Sequence, residues 1–130
     1  MQEGAMGLDR PARLVTALLL AGALAALAAG CGSPLPNEEP SIRGTVVSVL
    51  PAGDFGSIAV EASGSVASDY DKAVVRITQD TALLTETERG AQEAPFSALR
   101  AGTRVEVWFE GPVAESYPVQ ATAGTVLIVR

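Results

Sequence analysis

The chain contains no histidine, so the commonest general base and the commonest transition-metal ligand are both missing. It has a single cysteine, which excludes an internal disulfide and leaves the core to packing alone. Neither a glycine-rich phosphate loop between a strand and a helix, nor a Walker-type lysine, nor zinc-ligand spacing occurs. These absences argue against an enzyme and against a resident cofactor or metal. Positive charge is also scarce: after Cys31 seven basic residues face thirteen acidic ones, a balance that repels nucleic-acid backbones.

One long hydrophobic run is present. Leu14 to Gly30, LVTALLLAGALAALAAG, is uncharged and follows Arg10 and Arg13, the order of a basic n-region and an apolar h-region. Small residues crowd its end just before Cys31, where a signal peptidase needs them. Leu27-Ala28-Ala29-Gly30-Cys31 resembles the lipobox of bacterial lipoproteins, with leucine four residues before the cysteine and Ala28 three before. The resemblance implies lipidation of Cys31 and cleavage before it, hence an extracytoplasmic envelope protein held to a membrane by lipid. An uncleaved membrane anchor is the competing reading of the same run. Met6 is an alternative start that would shed Glu3. The division that follows is a signal segment over 1–30, a tether over 31–41 and a single small domain over 42–130. The tether, GSPLPNEEPS from Gly32, is rich in proline, serine and acid and lacks periodicity, as flexible linkers do; fully extended it would reach about 30 Å.

Within the domain, period-two alternation predicts strands. Ile42–Leu50 is β-branched and bounded by Pro40 and Pro51. Ser57–Ala62 places Ile58, Val60 and Ala62 on one face, and Lys72–Thr78 does the same with Ala73, Val75 and Ile77. Asp80–Ala94 is polar. Pro95–Gly102 reads as one helical turn, opened by proline and closed by glycine. Thr103–Glu110 alternates most clearly, with Val105, Val107 and Phe109 inward and Trp108 outward. Thr125–Arg130 is apolar on both faces, which suits a strand inside a closed sheet. Five strands with a short helical turn between the third and fourth predict an all-β fold, a small OB-like barrel; an open meander or a small sandwich would share most of the pattern.

Candidate binding residues are few. Trp108, flanked by Glu106 and Glu110, is either a stacking platform or buried under the following loop. Gly111–Gly124 leaves strand periodicity and holds Glu115, Ser116, Tyr117 and Gln120 within six residues, an acid, a hydroxyl, a phenol and an amide. These could line a polar binding spot or shape the loop, in which case Tyr117 should be buried with its hydroxyl bonded. Asp69, Tyr70 and Asp71 with Glu61 offer oxygen ligands of the kind calcium accepts, although an acidic solvated turn accounts for them equally. The expected role is a non-catalytic envelope domain that binds a small ligand or a protein partner. The alternative is a structural subunit that uses a strand edge.

The run from Val105 through Glu115-Ser-Tyr-Pro-Val-Gln-Ala121 to Ala123 resembles the C-terminal signature of YobA-like proteins, small bacterial lipoproteins. Gly44, Ala73–Thr81 and Phe96–Gly102 extend the resemblance over most of the chain after Cys31. It implies an envelope-anchored domain of unassigned role and carries over no catalytic residue.

Overall fold

The computed structural model describes residues 33–64 and 68–130. The signal segment expected over 1–30, Cys31, Gly32 and residues 65–67 lie outside the described residues. From Ile42 onward the described chain is all-β, with one 3-10 turn at Phe96–Ala98. The strands are β1 (Ile42–Ala52), β2 (Phe55–Ala62), β3 (Lys72–Ile77), β4 (Ala82–Thr87), β5 (Gly90–Glu93), β6 (Arg104–Ala114) and β7 (Val119–Ile128).

Five of these close a mixed barrel in the order β1, β2, β3, β7, β6 and back to β1. β1 and β2 form a hairpin whose turn carries Gly53 at φ 69°, and β3 continues the antiparallel run against β2. Closure comes from two pairings. β3 lies parallel to β7, with Ala73 opposite Val119 and Arg76 opposite Thr122. β6 lies antiparallel to β1, with Ile42 opposite Val107. This is the OB-like arrangement that the strand pattern predicts. Alternate residues fill the interior: Ile42, Val46, Ile58, Val60, Val75 and Val107 are each no more than 1% exposed. Every such side chain contributes about 1.5–3 kcal/mol on burial.

Tight curvature dictates two sequence choices. Where β1 bends between its two partners, a side-chain carbon on Gly44 would stand 1.9 Å from the Glu61 carbonyl oxygen, so the strands pack this closely only with glycine there. A bulge between Val46 and Ser48 leaves Val47 as the extra residue, adding the local twist that a small barrel requires.

The polar stretch 80–94 contains a hairpin that its composition conceals. β4 pairs in parallel with the second half of β7, Ala82 opposite Thr125 through Thr85 opposite Ile128, and β5 folds back on β4. Leu84, Ala91, Trp108 and Leu127 form a second small core outside the barrel. The apolar residues on both faces of β7 therefore have separate destinations: Val126 points into the barrel and Leu127 into this second cluster. The helical turn lies between β3 and β6 as predicted, reduced to three residues, with Leu99 just after it in the barrel core.

Residues 33–41, read from composition as part of a tether, run along the barrel. The Ser33 amide donates to the Ala91 carbonyl at 2.9 Å, and the Ser41 amide donates to the Val107 carbonyl at 2.8 Å. Trp108 Nε1–H donates to the Glu38 carbonyl at 2.8 Å, and Pro40 is buried. The Arg43 guanidinium reaches Glu39 and, at 3.1 Å, Glu106. These two partners, Glu39 first, hold Arg43 above its ordinary pKa.

Candidate functional site

Alternation along β2, β3 and β7 turns one set of small and polar side chains out of the barrel. The register lines them up in rows. Ser57 lies opposite Arg76 and Arg76 opposite Thr122; one step along, Ala59 lies opposite Val74 and Val74 opposite Gln120. The β6–β7 arm rises beside these rows and supplies Pro112, Val113 and Ala114 as a wall. The result is a groove made of two hollows that share Ser57, Arg76 and Thr122. The first, about 350 Å³, lies over Val74 and Gln120. The second, about 900 Å³, continues toward Asp54, Asp80 and Glu110. Both volumes fall in the range of small-molecule clefts.

Among the described residues, Arg76 is the only basic side chain lining either hollow. It is exposed and makes no ion pair or side-chain hydrogen bond among the described residues. Its five donors are therefore available to a ligand, in a fork that matches a carboxylate or phosphate. Ser57 and Thr122 add a hydroxyl on either side. No group of three or more potential metal ligands occurs among the described residues.

The five residues singled out from sequence do not converge. Gln120 lines the groove. Trp108 is buried, 6% exposed, in the second core. The burial reading of its indole is the right one, but the cover consists of the β4–β5 hairpin and the 33–41 segment rather than the loop that follows. Glu115, Ser116 and Tyr117 occupy the exposed tip of the β6–β7 hairpin. Ser116 shapes this tip, its hydroxyl donating to the Pro118 carbonyl at 2.7 Å across a cis Tyr117–Pro118 peptide.

Tyr117 is 74% exposed, against the expectation that it is buried. The reason is that β6 continues to Ala114 and β7 begins at Val119. The supposed long loop is a hairpin arm, and its turn projects beyond the barrel with no core to enter. Lys72 Nζ stands 5.9 Å from the centroid of the Tyr117 ring. Replacing Tyr117 by alanine should then cost less than about 1 kcal/mol, the scale of an exposed cation–π contact. A denaturant melt that drops by 3 kcal/mol would contradict this placement.

The acidic group near Tyr70 is dispersed in the same way. Tyr70 packs its ring on Phe109 at 5.4 Å, Glu61 faces Lys72 at 3.9 Å, and the Asp71 carbonyl accepts the Ala62 amide. Sequence reasoning named none of Ser57, Arg76 and Thr122 as a candidate binding residue, although Thr122 falls within the 111–124 segment. Their meeting depends on pairing between strands far apart in the chain.

A family model described as "Protein of unknown function (DUF3221)" matches residues 66–130, half of the chain, from the loop before β3 to the C-terminal residue. No curated protein and no solved structure matches.

Proposed function

We propose, for a chain that belongs to the DUF3221 family of proteins of unknown function, that the barrel is a non-catalytic binding module of the bacterial cell envelope, taking a small ligand in the groove around Arg76. The observation that carries this reading is a guanidinium, unpaired among the described residues, set between two hydroxyls on the floor of a walled groove. Its lining offers a guanidinium, hydroxyls and an amide but neither histidine nor cysteine among the described residues, chemistry that suits holding a ligand. The envelope location is supported by the n-region, the h-region and Cys31, and by the resemblance to YobA-like lipoproteins.

A strand-edge scaffold has less support. All five barrel strands are paired on both sides. The outermost strand, β5, is four residues long, and its Ala91 carbonyl already accepts the Ser33 amide.

Two experiments test the reading. Cys31→Ser should move the chain from the membrane to the soluble fraction with the barrel's melt unchanged; retention in the membrane would contradict lipid anchoring. A thermal-shift screen of polar metabolites and cell-wall fragments should find compounds that raise the melting temperature. The rise should vanish in Val74→Glu, which places a carboxylate on the groove floor. Hits indifferent to Val74→Glu would place binding elsewhere.

A further inference from the structure

The charges along the groove are segregated, and the segregation names a ligand class. Arg76 stands at the junction of the two hollows, the sole cation there among the described residues. Beyond it, the second hollow is bordered by three carboxylates that reach it from different elements: Asp54 from the β1–β2 turn, Asp80 from the segment after β3, and Glu110 from β6. None of the three forms a side-chain hydrogen bond or ion pair among the described residues. On the other side of Arg76 the lining carries no carboxylate and is mixed in polarity, with Val74, Pro112, Val113 and Ala114 around the amide of Gln120.

We propose that the groove binds a short peptide with free ends, its carboxylate on Arg76 and its ammonium among Asp54, Asp80 and Glu110. This rests on the reading of the groove as a ligand site and deepens it. A lone anion would use Arg76 but gain nothing from three carboxylates nearby, which oppose it. A lone cation would meet Arg76 as a repulsive neighbour. Only an amphoteric ligand draws on both groups.

Spacing favours a peptide over a free amino acid. Glu110 lies opposite Thr122, and Thr122 opposite Arg76, so two inter-strand steps separate the charged residues, about 9–10 Å at the backbone. An amino acid carries its two charges on one α-carbon and reaches both groups only if the Arg76 and Glu110 side chains lean toward each other. Two or three extended residues, at about 3.3–3.6 Å each, span the gap. The hydroxyls of Ser57 and Thr122 flank the carboxylate position and supply further bonds, while the first hollow has room for a small C-terminal side chain.

Titration of the full chain in detergent, followed calorimetrically, uses triglycine, N-acetyl-triglycine, triglycine amide and glycine as probes. Triglycine should bind most tightly. Acetylation and amidation should each weaken it about tenfold, as loss of a charge-assisted contact does, and glycine should bind more weakly still. In Arg76→Gln, an exposed substitution that leaves the core intact, triglycine and its amide should bind equally. In Glu110→Gln with Asp80→Asn, triglycine and its acetylated form should bind equally. Equal affinity of the unaltered chain for triglycine and N-acetyl-triglycine would overturn the proposal in favour of a plain anion site. Absence of binding by every probe would overturn the peptide class; the groove as a ligand site then stands or falls on the thermal-shift screen and its Val74→Glu control.

Discussion

Replacing Val107 by aspartate should unfold the barrel. Val107 is completely buried at the centre of β6, opposite Ile42 of β1 on one side and Val126 of β7 on the other. Those pairings close the sheet, and the site offers no polar partner, since every buried core residue of the domain is apolar. An unpaired carboxylate there costs several kcal/mol, a large part of the 5–15 kcal/mol typical of a whole domain. The expected result is loss of the cooperative denaturant transition and of strand signal by circular dichroism. Val107→Ala, which removes two methyl groups without adding charge, should remain folded with a lower midpoint. A cooperative Val107→Asp melt near the native midpoint would show that the register of β6 is wrong.

Trp108→Ala should be the second most damaging change. The indole is the largest member of the outer core and also the tie that holds the 33–41 segment, through its bond to Glu38. Truncating a buried tryptophan costs about 3–5 kcal/mol. The loss should be local in character: the β4–β5 hairpin and residues 33–41 lose their common support, while the barrel core keeps its contacts. Hydrogen exchange separates the parts, with the Ser33 amide deprotected early and those of Val60 and Val75 changed least. Trp108→Phe retains most of the ring and should lose mainly the hydrogen bond, about 1 kcal/mol. An unchanged melt for Trp108→Ala would contradict burial of the indole and the outer core built on it.

What the sequence disclosed follows from where alternation survives. The first half of β1, β2, β3 and the first half of β6 each keep one inward apolar face, and those strands are legible. The β4–β5 hairpin is not, because Leu83 and Leu84 are adjacent and both buried, one in the barrel and one in the outer core. Period two has no way to express a strand with two destinations. The β6–β7 arm is hidden differently: register shifts between Trp108 and Phe109 and between Glu110 and Ala114 interrupt its pattern, while Gly111, Pro112 and Pro118 punctuate it like a loop. Phe109 is accordingly only half-buried, whereas Trp108 beside it is buried.

The groove was less legible than the fold, for a physical reason. Ser57, Arg76 and Thr122 are neighbours only through pairing of β2 with β3 and of β3 with β7, and the second pairing joins strands more than forty residues apart. The chain shows that Arg76 faces outward but not what stands on either side of it. The segment 111–124 drew attention through its chemistry, and its structural part in the site is the wall formed by Pro112, Val113 and Ala114 together with Gln120 from β7. Tyr117, the most conspicuous residue of that segment, lies outside the groove lining.

Ligand should meet the outer face of β2, β3 and β7. The most direct measurement is amide chemical-shift mapping of the chain during titration with triglycine or with any compound from the thermal-shift screen. The account predicts that Ser57, Val74, Arg76, Gln120 and Thr122 move together and saturate with one affinity, while Leu84, Ala91 and Glu115 stay still. Saturating shifts confined to the hairpin tip or to the β4–β5 edge, with the Arg76 row unmoved, would contradict it.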